Sequence, residues 1–381
     1  MDKKNLTIIF LTTLMAVMGV ASIIPAFPSI REHFNLTPTQ VTLLIVVFTF
    51  PGIFLSPVAG ALADKLGRKT ILIPSLFLFG IAGLGCFFTN DWKILLALRF
   101  FQGLAAAPLG SLNVTLIGDL FDGEKRGEVM GYNVSVLSTG TAIYPFIGGT
   151  LALAGWQFPF ILPILAIPTA LLTIFWLKNP EPKKKQNLKE YLTKTWKIVN
   201  QKTVWGLFII NVLVFVVLYG AVLSYLPQLM AERFQASSFQ IGSLIGGFSV
   251  ITAITSSQFK WINRKINPKK QLTISFILYI ISMVVLSAAN ETWQLIIPLA
   301  TFGMAQGILL PGIQTLLVGF APLSERAGFM SIYSMVLRLG QTFGPVFIGI
   351  FYTLGGVGIA FIGGALVALI MLVVSFLMVK I

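Results

Sequence analysis

Residues 41–59 and 70–89 hold no charged side chain, whereas the short link between them, Gly60 to Lys69, holds Asp64, Lys65, Arg68 and Lys69. A bilayer accommodates two such runs directly, because about 20 apolar residues cross its hydrocarbon as one helix. So short a link must return the chain on the same side of the membrane. Three cations against one acid place that side in the cytoplasm. Gly60 lets the two helices approach closely, and Gly67 can take the positive φ that ends the turn.

The rest of the chain repeats this pattern. Runs of spanning length lie near 6–28, 39–59, 70–89, 93–118, 127–152 and 157–177, and again near 203–228, 239–259, 271–289, 292–317, 327–352 and 357–379. Twelve spans put both termini on one side, and the excess of lysine and arginine in alternate loops makes that side cytoplasmic. The expected fold is an all-α polytopic membrane protein with two six-helix bundles, residues 1–177 and 203–381. Between them runs a basic cytoplasmic linker, 178–202. Only 10% of the residues are charged, against about a quarter in a soluble domain. The net charge of +14 sits in short loops between apolar spans, so it reports orientation and not nucleic acid as a partner. Cys86 is the only cysteine, which leaves no disulfide framework and no cysteine metal site. The run from Leu6 to Ile24 is long for a signal-peptide core and reads as a retained first helix.

The two sets resemble one another. Ser22, Pro25 and Arg31 return as Ser224, Pro227 and Arg233, and Gln40 returns as Gln240. Arg126, Gly140, Pro145 and Gly149 return as Arg326, Gly340, Pro345 and Gly349, and Gln102-Gly103 as Gln306-Gly307. A parallel duplication of this kind places a binding site between the halves near the midplane and implies alternating access by rocking.

Gly60 to Lys69, written G-x-L-A-D-x-x-G-R-K, resembles the helix 2–3 loop signature of the major facilitator superfamily. Arg99 to Ala107 resembles its helix 4 motif, R-x-x-Q-G-x-x-A-A. Gly140 to Gly149 is similar to the helix 5 antiporter motif, departing from it at Tyr144, where a glycine is usual. The set looks like the twelve-helix drug/proton antiporter branch, and that resemblance implies proton-driven efflux and a proton-coupling role for Arg99. It also implies an inner gate in which Gly60, Asp64, Gly67, Arg68 and Lys69 meet Asp119 and the start of helix 11 beyond Arg126's counterpart, Arg326. Oppositely charged neighbours and a carboxylate at a helix N-terminus are favourable in such a gate.

An arginine in the bilayer interior costs about 2.5–3.5 kcal/mol on insertion scales, so it must face a cavity or a partner. Arg99, Gln102 and Asn113 share one helical face, as do Ser334, Arg338 and Gln341, giving two polar stripes in apolar spans. Both read as cavity walls. The plainer alternatives are that Arg99 bonds backbone carbonyls at a bend and that Arg338 snorkels to the interface. Tyr144, Tyr219, Gln306 and Gln314 are further cavity candidates, with polar tips on apolar bodies. Gly140, Pro145, Gly149, Gly340, Gly344 and Pro345 read as close-packing positions, chiefly between helices 5 and 8 and between 2 and 11. None of the acids lies in the middle of a span.

The expected function is secondary active transport by alternating access: proton-coupled export of small amphiphilic compounds, neutral or anionic, by a monomer in the bacterial cytoplasmic membrane. A flippase or exporter of an anionic or glycolipid-like amphiphile is the near alternative, and a non-transporting membrane sensor or scaffold the distant one. The expected partners are a small-molecule or lipid-like substrate and membrane lipids. No cofactor is expected beyond the proton gradient, since there is no phosphate-binding G-x-x-x-x-G-K-[ST] loop. Nor is an enzyme expected, because no nucleophile–base pair or metal cluster is present.

Overall fold

The computed structural model describes residues 3–121, 123–177, 200–320 and 326–380. The helices are α1 (Lys3–His33), α2 (Leu43–Leu66), α3 (Arg68–Phe88), α4 (Trp92–Leu120), α5 (Gly123–Ala152) and α6 (Phe158–Trp176). They continue as α7 (Lys202–Phe234), α8 (Ser238–Ser257), α9 (Pro268–Ala288) and α10 (Thr292–Phe320). Arg326–Met378 is broken at Gly355 and Gly356, the latter at φ +75°, into α11 (326–354) and α12 (357–378). Among the described residues there is no strand. Nearly all of the linker, 178–199, lies outside them.

Local chemistry sets the ends. Thr37 and Gln40 form a reciprocal capping box on the short turn that leads into α2, and Ser237 with Gln240 repeats it at α8. Each pair satisfies two backbone donors that a helix start leaves open. Asp91 accepts from the amides of Lys93 and Ile94 at the start of α4. Gly67, at φ +96°, turns α2 directly into α3. The helices outrun the apolar spans, α1 reaching His33 and α2 reaching Leu66, because a helix can continue where its side chains meet water or headgroups. Proline loosens others: α1 tightens into a 3-10 turn at Ile24–Ala26. In α7, Val216–Val222 forms a π-helical turn, and there the Ser224 hydroxyl donates to the Tyr219 carbonyl.

Where helices pack most closely, glycine is required. A Cβ added at Gly148 would stand 1.8 Å from the Ser22 carbonyl oxygen of α1. At Gly149 it would stand 2.4 Å from that of Ser238 in α8, and at Gly242 2.2 Å from that of Pro145 in α5. Gly140 faces Leu14 of α1, while Gly340 and Gly344 lie against Val212 and Val216 of α7. The expectation that Gly340 and Gly344 join α11 to α2 is therefore corrected. They stand two residues from Arg338 and Thr342, about 200° around the helix, so the polar face meets α2 and the small face meets α7. Proline sits inside both helices, with Pro145 in α5 and Pro345 in α11, and both rings are buried.

The seams α2–α11 and α5–α8 join the two sets of six helices. The end remote from the termini is shut. There Arg31 meets Glu232, and a Cβ at Gly349 of α11 would stand 3.3 Å from Thr39. Toward the terminus-bearing end the two sets part. A Cβ at Gly110 or Gly118 of α4, Gly127 or Gly131 of α5, Gly247 of α8 or Gly319 of α10 would meet nothing within 4 Å. With the far end shut, this open space fits a cleft open at the end that carries Lys3 and Lys380.

Gly148→Ala is expected to destabilise the purified protein by about 1–3 kcal/mol, because its methyl group is driven into a backbone carbonyl. The exposed Leu369 gives the comparison. A thermal melt in detergent should show a clear drop for Gly148→Ala and little change for Leu369→Ala.

Candidate functional site

The charged turn between α2 and α3 is tied to its own half. Arg68 is nearly buried and its Nε donates to Asp119 Oδ2 of α4 at 3.0 Å. Lys69 Nζ reaches the carbonyls of Ile174 at 2.5 Å and Leu177 at 3.3 Å, at the end of α6. Arg126 donates to the carbonyls of Phe121 and Gly118, closing the end of α4. Cations are favourable at both of these helix ends, where carbonyls lack partners. The side chains of Gly60, Asp64 and 326–328 lie outside the described residues, and so does the expected contact between Asp64 and the start of α11.

Arg99 is fully buried inside the N-terminal six helices. Its Nη1 donates to the Gly19 carbonyl of α1 at 2.8 Å and to Gln102 Oε1 at 2.6 Å. Its Nε and Nη2 donate to the Leu44 carbonyl near the start of α2 at 3.3 and 3.2 Å. The guanidinium also lies 4.2 Å over the Phe48 ring. Arg99 thus joins α1, α2 and α4, and its expected place in the cavity wall is corrected. Gln102 is sealed with it, and its amide reaches the Phe79 carbonyl. The third member of the stripe, Asn113, is 2% exposed and bonds Thr13 of α1 and Asn133 Oδ1 of α5. In the second half Gln306 is buried where Gln102 is in the first, and it accepts from the Tyr279 hydroxyl. Gly303 stands where repetition would place a second Arg99, so a neutral tyrosine does there what a cation does in the first half. These four side chains face their own bundles because lipid offers no partner for them.

Arg338 is placed differently. It remains half-buried on α11, with Nη1 donating to Gln341 Oε1 at 3.1 Å. Its stem crosses to α2, where a Cβ on Gly52 would stand 3.1 Å from Nε and 3.2 Å from Cδ. One turn on, Thr342 and Thr49 share a 2.9 Å hydrogen bond between the halves. Tyr219 of α7 is half-buried and close enough to interact electrostatically with Arg338. Gln341 is itself 6% exposed and supports the guanidinium from behind. Ser334 is half-buried and bonds the Met330 carbonyl. Gln314 is exposed on α10, and Tyr144 is nearly buried on α5. No acidic side chain among the described residues pairs with Arg338.

The closed end holds a contact that sequence reasoning missed. Arg31 of α1 donates to Glu232 of α7 at 2.5 Å and to Gln228 at 2.9 Å. The Tyr352 hydroxyl of α11 stands 3.5 Å from Glu232, and its ring stacks on Tyr225 at 5.1 Å. Arg233, the repeat of Arg31, stays within its half and donates to the Ser287 and Ala289 carbonyls at the end of α9. The repeat marked both arginines, and each has an acid beside it, Glu32 and Glu232, so the residue letters did not show which one crosses to the other half. A separate cavity of about 80 Å³ lies within the second half, walled by Phe259, Asn263, Gln271 and Gly312. Among the described residues no cluster of potential metal ligands occurs.

The family model described as Major Facilitator Superfamily matches residues 9–237 and 207–381. The chain is 27% identical to the bacillibactin exporter of Bacillus subtilis (strain 168), over 90% of this chain and 88% of that protein. It is 25% identical to multidrug resistance protein 1 of the same organism, over 92% and 91%. A solved structure of a bacterial homologue of the human lysosomal transporter Spinster, inward-facing and occupied, superposes with a TM-score of 0.79 at 16% identity, over 98% of this chain and 95% of that one.

If Arg99 holds three helices together, Arg99→Ala strands the carbonyls of Gly19 and Leu44 and the Gln102 side chain in a dry interior. The expected loss is about 3 kcal/mol or more, read as a lower melting temperature and poorer monodispersity. Arg99→Lys should recover little, since an ammonium cannot span the same acceptors.

Proposed function

The chain belongs to the major facilitator superfamily, and from that premise we propose a secondary active exporter of small amphiphilic compounds, neutral or anionic, driven by the proton gradient. What supports this reading is the open space toward the terminus-bearing end together with Arg338, half-buried at the α2–α11 seam with no paired acid among the described residues. The basic charge of that end supports a cytoplasmic orientation for it. The cleft then receives cargo from the cytoplasmic side, and rocking about the α2–α11 and α5–α8 seams releases it on the other. By name, the two sequence relatives are an exporter and a multidrug resistance protein, which supports export over import. The protein works as a monomer in the cytoplasmic membrane.

The cargo's charge follows from the field. A guanidinium in a low-dielectric cleft attracts anions and repels cations far more strongly than in water. A desolvated cation would find no carboxylate there among the described residues. The coupling proton falls to acids at the rims. Asp119 and Glu232 are the two whose described partners are arginines, the first within its own half at the terminus-bearing end and the second across the closed end.

Proteoliposomes test this with a charge series and an imposed pH gradient. Lipophilic carboxylates are expected to move against their gradients, and the movement should collapse when nigericin dissipates ΔpH. Efficient transport of quaternary ammonium dyes, or transport indifferent to ΔpH, would overturn the reading.

A further inference from the structure

Arg338 and Arg99 are the same residue, yet the fold treats them in opposite ways. Arg99 is sealed, with two carbonyls and one amide oxygen accepting from it and a ring beneath it. Arg338 has one described acceptor, Gln341 Oε1, for a group that carries five N–H donors. Its counter-charges can be counted element by element. On α7 the facing titratable group is Tyr219, a phenol. On α2 the contact is Gly52, and the nearest acid of that helix, Asp64, is twelve residues or about 18 Å away along the axis. On α11 itself no acid occurs between Arg326 and Met378.

This matters when the cleft closes. In the open state water solvates the remaining donors. Closure removes that water, and a guanidinium left bare in a low-dielectric cavity loses far more than one returned to solvent. A neutral compound displaces the water and leaves the charge uncompensated. An anion supplies the charge and accepts two N–H bonds in the planar fork at once. Resting on the reading of the cleft as the cargo path, we infer that Arg338 makes closure conditional on a negative group in the cargo. The substrate class is thereby narrowed to monoanionic amphiphiles, such as lipophilic carboxylates. Gly52 is the positioning residue. Lacking a Cβ, it lets the Arg338 stem lie against α2, so the anion site is built on one half and seated against the other. A bound anion therefore acts on the contact that must change when the halves move.

The test uses the purified full chain with Cys86→Ser and spin labels at the exposed Tyr132 of α5 and Ile254 of α8. The probes are an aryl-alkyl carboxylate, its methyl ester and the matching amine. The carboxylate is expected to shorten the label distance and raise the melting temperature, with ester and amine doing neither. Arg338→Gln should weaken the carboxylate response about tenfold or more, as loss of a charge-assisted pair does, and should let the ester close the cleft. Gly52→Ala should weaken carboxylate binding without admitting the ester, which a merely structural defect would not separate. Equal responses to ester and carboxylate on the unaltered protein overturn the charge requirement alone. Closure by chloride salts without any probe overturns the assignment to an organic anion. Silence toward all three probes overturns both this inference and the exporter reading.

Discussion

A guanidinium cannot stay bare in hydrocarbon, and this chain meets that constraint twice with opposite results. Around Arg99 the backbone itself supplies the acceptors. Gly19 and Leu44 turn their carbonyls inward where α1 and α2 pass α4, and Gly103, one turn on, lets α4 approach Phe48 at backbone contact. The first half is thereby made a rigid block. Around Arg338 the acceptors are mostly missing, and the side chain bridges to the other half against Gly52 instead. Rigidity within each half and an unfinished polar contact between halves are what a rocking transporter needs, since motion should cost little inside the blocks and be decided at the seam.

The second half shows how the same scaffold does without the buried charge. Tyr279 stacks on Phe302 and donates to Gln306, where the first half uses Arg99 on Gln102. At the closed end the asymmetry is reversed. Arg233 stays within its bundle to bond the end of α9, while Arg31 crosses to Glu232 and Gln228. Duplicated helices thus keep their packing glycines and capping boxes, and differ at the few charged positions that relate one half to the other.

Much of the fold was legible in the apolar runs, because a bilayer admits few ways to satisfy a backbone. Twelve spans could be counted, and the capping boxes at Thr37 and Ser237 explain the recurring glutamines. The helix ends were less legible: α1 continues past its apolar run to His33 because helices persist into the interface. The site was harder to read. Periodicity correctly put Arg99, Gln102 and Asn113 on one face, but it cannot say whether that face meets a cavity or a neighbouring helix. What decided it, the carbonyls of Gly19 and Leu44, belongs to the backbone of distant segments and carries no mark in the residue letters. For the same reason Gly340 and Gly344 were recognised as contact positions while their partner, α7, was not.

The central claim is that two rigid halves exchange closure between their ends, with Arg31–Glu232 holding the far end shut in the state seen here. Its most direct test is a pair of spin-label distances in a Cys86→Ser background, one across the far end between His33 and Gln235 and one across the terminus-bearing end between Tyr132 and Ile254. An exposed ion pair contributes only about 0.2–1 kcal/mol, so Glu232→Gln should shift the population by a measurable fraction and not completely. The far-end distance is expected to lengthen in the same molecules in which the terminus-end distance shortens. Distances that change independently, or lengthen together, would contradict it.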